Sequence, residues 1–427
     1  MSMAALVTRR RMARLGGFAS TQLVVQGIGF ASGIALVQSM DQAQYGHYTL
    51  ALSMVGLANV LLDLGLSTAV LAQGGALHAE PQRLGGLLGD AFAIQRRLLI
   101  AGTLLLLPAF AAMFFRQGLE WREVAVLSLL VIACTAFNVH NALAMTVVRL
   151  RGDLSMQQWL EVGVNLGKLL LVLAAATILL DAQIAVGVNV IAAAVMLWLL
   201  RRYLVAHCGH AESATHEHSH ALKSFILRQA PNSLYYCFIG QIAIWLVGVF
   251  GSAERVAEVG ALGRLAALFT VIGAVVGALV QPYFARASTR RELISGFVAL
   301  NAFFAILTAT LVGVAWVLPT ALLWILGKRY AGLTDEVVWM VVASAISSWS
   351  GALYAMGAAK GWLVSPLLMI PLGIGTLTWA ACTLDVSTVI GSFMMNSAVA
   401  TVAWVLTFGL VSLRLKSMPA SPLGGMR

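Results

Sequence analysis

The sequence predicts an all-α polytopic membrane protein, with about twelve transmembrane helices in two six-helix bundles. Three observations predict it. Apolar residues make up 60% of the 427-residue chain and charged residues only 10%. The apolar residues fall into long blocks, and Lys and Arg gather in every second loop between those blocks. Soluble domains carry about a quarter charged residues, and a soluble fold of this length needs a charged shell that this composition does not supply.

Blocks such as Val124–Ile132, Leu169–Leu180 and Leu262–Val280 approach the roughly 20 residues that a helix needs to cross about 30 Å of hydrocarbon. The 40 glycines fit the same class, because small residues let helix backbones approach closely in lipid. Hydropathy places spans at 15–37, 45–71, 91–115, 123–148, 159–180, 183–200, 230–250, 259–284, 294–317, 336–357, 364–382 and 387–413. Arg9, Arg10, Arg11 and Arg14 precede the first block. That block is long and has no convincing cleavage site, so it reads as a retained helix and not a removed signal peptide.

Orientation follows from the basic residues. Twenty of the 27 lie in alternate segments, from the N-terminal arginines through Arg83, Arg149 and Arg201 to Arg414 and Lys416. The opposite side holds five, Arg116, Arg122, Arg255, Lys328 and Arg329, while Lys168 and Arg264 fall inside spans. The positive-inside rule therefore puts both termini in the cytoplasm. The formal charge of +10 resides in these short loops, which argues against nucleic acid as a partner.

The longest stretch without a span divides the chain into an N-terminal bundle (1–200), a cytoplasmic His-rich linker (201–229), a C-terminal bundle (230–413) and a tail (414–427). The halves echo each other faintly: Tyr45-Gly46 opens the second span and Val259-Gly260 the eighth, an offset of 214 residues. Paired halves with a substrate path between them are a common transporter plan. The longest outer loop, about Leu318–Asp335, is too short for a catalytic domain. Phosphate loops, nucleophile elbows and HExxH motifs are also missing from the sequence. An enzyme is not expected. Cys134, Cys208, Cys237 and Cys382 are scattered and form neither a disulfide framework nor a metal spacing.

An ionisable group in hydrocarbon costs roughly 2.5–3.5 kcal/mol on insertion scales, so each one requires a reason. Lys168 lies nine residues into the fifth span, roughly 14 Å deep and near the midplane. Gln158, Glu161, Asn165 and Lys168 are spaced 3, 4 and 3, which places them on one helix face. Such a stripe marks an aqueous cavity or a buried seam. Lys168 either offers positive charge to an anionic substrate or pairs with a carboxylate such as Glu161. Weaker stripes join Gln22, Gln26, Gly29 and Gly33 in the first span, and Thr135, Asn138 and Asn141 in the fourth, with His140 beside them. A further set is Gln229, Asn232, Tyr236 and Gln241. Amides of this kind also hold membrane helices together, and His140 reads as a packing residue. Asp63 comes 18 residues into the second span, roughly 27 Å from its outer end. There it binds a coupling cation or meets Arg83, Arg96 or Arg97. Arg264 sits about 8 Å below the outer end of the eighth span.

Five of the eight histidines fall between His207 and His220. Alternating His can bind zinc or nickel, but a flexible chain offers no fixed tetrahedral site. The stretch reads as a solvated linker, with no metal and no cofactor.

The chain resembles the polysaccharide-transporter (O-antigen flippase) family, within the superfamily that also holds multidrug and toxin extruders. The resemblance is carried by Gln22-Leu23-Val24 through Gly33, by Gln44-Tyr45-Gly46-His47-Tyr48, and by Leu62-Asp63-Leu64-Gly65-Leu66-Ser67-Thr68-Ala69. Gly260-Ala261-Leu262-Gly263-Arg264 and Gln281-Pro282-Tyr283 carry it in the second half. The chain departs from the family pattern at Gln38, where an Arg is usual, and at Ile244-Trp245, where an acidic residue is usual.

The resemblance implies two six-helix bundles forming a V around a cavity, in a bacterial inner membrane. The implied cargo is a polyprenyl-diphosphate-linked oligosaccharide, flipped to the outer leaflet for O-antigen or exopolysaccharide synthesis. Membrane lipids, a polysaccharide polymerase and a chain-length regulator are the implied partners. The expected cavity residues are Lys168, Asn165, Glu161, Arg264, Asn138, Asn141, Gln26 and Asn232, with Asp63 as a candidate for ion coupling. The alternatives are a drug/cation antiporter on the same fold and a non-transporting scaffold of a glycan-synthesis complex.

Overall fold

The computed structural model describes residues 21, 23–77, 81–178, 180–208, 218–287, 289–362 and 364–417. All regular structure among them is helical. In chain order the helices are α1 (Leu23–Ser39), α2 (Gln42–Asp63), α3 (Leu66–Leu77), α4 (Pro81–Arg116), α5 (Trp121–Leu150), α6 (Leu154–Ala176) and α7 (Ala182–Cys208). There follow α8 (Ser219–Phe250), α9 (Ala253–Arg286), α10 (Arg290–Val317), α11 (Pro319–Trp324), α12 (Thr334–Ala359), α13 (Pro366–Thr383) and α14 (Val389–Ser417). The expected spans fall on these helices, the second on both α2 and α3, while residues 15–20 of the first lie outside the described residues. Among the described residues nine helices are long and apolar enough to cross a membrane, and α2 with α3 makes a tenth as one bent span. The protein is a multi-pass membrane protein.

Three features differ from the hydropathy reading. The second span is broken, with α3 turning 45° from α2, at Leu64 (φ 43°) and Gly65 (φ 83°). The expected outer loop around Leu318–Asp335 holds α11 and a single turn of 3-10 helix at Lys328–Tyr330. Helices α7 and α8 also run well into the expected linker. Hydropathy ends at the bilayer surface, but a hydrogen-bonded helix need not. Arg202, for example, stacks its guanidinium 3.7 Å from the Trp198 ring. Of the His-rich stretch, residues 209–217 lie outside the described residues.

The chain divides into two compact units, Met1–Ala257 and Glu258–Arg427. In the first, α5 packs against α2, α3, α4, α6 and α7, and α8 lies along α2, α3 and α4. One end is closed by a cluster of buried side chains that includes Leu66, Leu87, Leu143, Leu160, Leu200 and Leu222, one from each of six helices. Asp90 on α4 is buried there and accepts the backbone N–H of His218 at 2.9 Å, which anchors the start of α8. In the second unit α12 packs closely with α14 and α10, and α13 covers α14. Its core holds an aromatic series in which Phe304 stacks on Trp349, Trp349 meets Trp404 edge-on and Trp404 stacks on Phe408. Helix starts are set by local chemistry, such as the Thr289/Glu292 capping box of α10 and Asp153 ahead of α6. Outward apolar side chains such as Leu104 and Leu105 suit contact with lipid.

Candidate functional site

The strongest concentration of expected residues lies on α5 and α6 of the first unit. Asp153 starts α6 by accepting the Met156 N–H at 3.2 Å. One turn on, the buried Gln157 donates its amide to the Glu161 carboxylate at 2.7 Å. The Asn165 amide donates back to the Glu161 carbonyl, also at 2.7 Å. Sequence reading chose Gln158 as the first member of this stripe. The partner is its neighbour Gln157, whose i,i+4 spacing to Glu161 was equally visible.

Lys168 lies about 21 Å from the start of α6 and about 12 Å from its end, well inside the membrane span. It borders a groove of about 360 Å³ between α6 and α7, lined otherwise by apolar residues including Trp159, Gly163, Gly167, Leu171, Ile191 and Val195. Gly163 and Gly167 keep the groove open, because nothing lies within 4 Å of where their Cβ atoms would be. Lys168 is also within Coulombic range of the buried Cys134 on α5, whose sulfur accepts the Asn138 amide at 3.6 Å. Asn141, one turn further along α5, donates to the Ala193 carbonyl of α7 at 2.9 Å. Its Oδ1 is buried without a partner. Lys168 and Asn138 thus share Cys134 as a neighbour, Asn141 ties α5 to α7, and Glu161 and Asn165 lie further down α6.

The remaining candidates lie elsewhere. Gln26 is exposed on α1. Arg264 is half-buried on α9, in the second unit. The side chain of Asn232 lies outside the described residues. His140 stacks on Phe92 and bonds to the Ala136 carbonyl at 2.7 Å, which fits the packing role expected for it.

Asp63 has a local task. Its carboxylate accepts the Gly65 N–H at 3.2 Å, the Ser67 N–H at 3.1 Å and the Ser67 hydroxyl. These bonds, and not Arg83, Arg96 or Arg97, are its partners, and they cap the first turn of α3 across the break. Losing such a cap costs about 0.5–2 kcal/mol. Asp63→Ala is therefore expected to lower the apparent melting midpoint in detergent by a few degrees, with Asp63→Asn falling between Ala and the native residue. A variant of native stability that nonetheless lost all activity would return Asp63 to ion coupling.

His47 is the main residue that sequence reading passed over, because it sat inside a family signature. It is 9% exposed near the start of α2, and neither ring nitrogen makes a well-formed hydrogen bond, although the Gln117 backbone acts on the ring. Glu123 on α5 and Glu254 on α9 act on the ring electrostatically. Glu254 itself is exposed, and the Ser252 hydroxyl beside it holds its carboxyl below the usual carboxylate range.

No protein-family model matches the sequence, and no curated protein matches it. Solved structures do. An inward-facing multidrug resistance MATE family transporter of the MOP superfamily superposes with a TM-score of 0.72 at 15% identity, covering 94% of this chain and 100% of that one. The chain shares the fold of that transporter. The lipid II flippase MurJ in an inward closed conformation gives a TM-score of 0.73 at 10% identity, over 94% of this chain and 88% of that one. An outward-facing MATE transporter of the MOP superfamily gives 0.61 at 14% identity, over 94% of each chain. The likeness thus spans almost the whole length of this chain, and a multidrug transporter and a lipid flippase share the fold.

Proposed function

We propose that this chain is a transporter of the MOP type, not an enzyme, and that it moves a lipid-linked anionic headgroup across the bilayer by alternating access. The favoured cargo is a polyprenyl-diphosphate-linked oligosaccharide, carried outward through the bacterial inner membrane for surface polysaccharide synthesis. A polymerase and a chain-length regulator would act downstream of it. The observation that carries this reading is Lys168, a cation deep in the membrane at the edge of an open apolar groove. A diphosphate with its sugars loses hydration in hydrocarbon without compensation. An ammonium and nearby amides on α5 supply that compensation, while the groove between α6 and α7 suits the apolar chain of the same molecule. Alternating access then requires two packings of similar energy.

A drug/cation antiporter is supported by the likeness to multidrug MATE transporters and by the carboxylate of Glu161 on α6. Reconstituted proteoliposomes separate the two. The leading reading expects transbilayer movement of a fluorescent polyprenyl-diphosphate-linked monosaccharide, and no movement of ethidium. Ethidium efflux with a static lipid cargo reverses the assignment. Movement of neither, from correctly folded protein, favours the scaffold reading.

A further inference from the structure

The turn that carries the chain from α8 into α9 is pressed against the start of α2. A Cβ at Gly46 would lie 2.0 Å from the Ala253 carbonyl oxygen. At Gly248 a Cβ would meet Leu50 of α2 at 3.0 Å and Met113 of α4 at 3.3 Å. The Gln117 side-chain amide, from the α4–α5 turn, donates to the Gly248 carbonyl, and Gln44 accepts the N–H of Ala182 at the start of α7 at 3.1 Å. Three interhelical turns therefore converge on the first turns of α2, where His47 is buried.

We propose that His47 is a proton-binding site, and that loading it releases the α8–α9 turn from α2. The step is a simple protonation: a lone pair on the neutral imidazole takes a proton from hydronium, leaving water and an imidazolium with two N–H donors. In the packed seam neither ring nitrogen makes a well-formed hydrogen bond, the Gln117 backbone being the one hydrogen-bonding group that acts on the ring, and a buried charge so poorly bonded is costly. The charges facing the ring are Glu123 from α5 and Glu254 from α9. The α4–α5 turn presents the Gln117 backbone, which also favours the charged ring, and Asp41 ahead of α2 acts on Glu254 and not on the ring. Arg116, Arg122 and Arg255 are outside the set that acts on it. Glu254 is exposed, so an imidazolium gains most by moving toward that carboxylate and water, which means parting the seam. Histidine is suited to this because its charge changes between about pH 5 and 8. The inference concerns the driving ion and holds for either cargo.

Hydrogen exchange read by mass spectrometry tests it on the full chain in lipid nanodiscs. Exchange times at pH 5.5 and 7.5 would be scaled for the intrinsic rates. Protection of the peptides covering 41–50 and 248–257 is expected to fall about tenfold or more at the lower pH, with 334–359 as an unchanged reference. His47→Gln should abolish the difference. If that variant fails to fold, Glu254→Gln serves instead, and should move the midpoint of the change to lower pH, because it removes a charge that favours the imidazolium. Native protein without a pH-dependent change, an equal response in folded His47→Gln, or an unshifted midpoint in Glu254→Gln would each overturn the proposal.

Discussion

Replacing Lys168 by Gln is expected to weaken cargo binding by about 10–100-fold while leaving the amount of folded protein unchanged. The magnitude comes from hydrogen bonds to charged groups, which contribute about 1.5–3 kcal/mol each, at about 1.4 kcal/mol per decade of affinity. Stability should barely change, since the ammonium borders an open groove and a neutral amide at that depth costs less to insert than a charge. Lys168→Arg retains the positive charge and should keep most of the affinity. Titration of the purified protein with a polyprenyl-diphosphate-linked monosaccharide, followed by tryptophan fluorescence, would measure each variant. A companion substitution separates headgroup from tail. Gly167→Leu fills open space in the groove and should impair the lipid-linked sugar more than a soluble sugar diphosphate. If Lys168→Gln binds the cargo normally, the ammonium is only a helix-packing group and the proposed cargo loses its support.

The helical spans were legible because lipid offers no partners to backbone N–H and C=O groups, so long apolar segments must close their own hydrogen bonds as helices. The same constraint hides what happens inside a span. Hydropathy runs unbroken through Leu62-Asp63-Leu64-Gly65-Leu66, yet the chain turns there because Gly65 accepts a positive φ and Asp63 caps the next helix. The helical face of Lys168 was readable from spacing alone. Its groove was not, since Ile191 and Val195 on α7 complete it and nothing in the order of residues tells which helices become neighbours. His47 was invisible for a related reason. A histidine near a helix start looks solvent-facing in sequence, and only the convergence of the α4–α5 and α8–α9 turns buries it.

Gly46→Ala is expected to destabilise the protein, although Ala is the better helix former by about 1 kcal/mol. The added Cβ would lie 2.0 Å from a backbone carbonyl oxygen, and backbone cannot swing aside as the end of a flexible side chain can. Overpacking of this kind costs about 1–3 kcal/mol. Each kcal/mol corresponds to about 2–4 °C in proteins of 150–250 residues, so a fall of a few degrees in the apparent melting midpoint is expected. Gly163→Ala is the matched control: it adds the same methyl to a helix, with nothing within 4 Å, and should hold or raise the midpoint. The two substitutions share their propensity gain, so their difference isolates the contact between α2 and the α8–α9 turn. Gly46→Ala should also lower exchange protection in residues 248–257 at neutral pH, imitating sterically what a proton on His47 does electrostatically. If both variants melt together above the native protein, the turn does not press on α2, and the seam that buries His47 is looser than the structure has it.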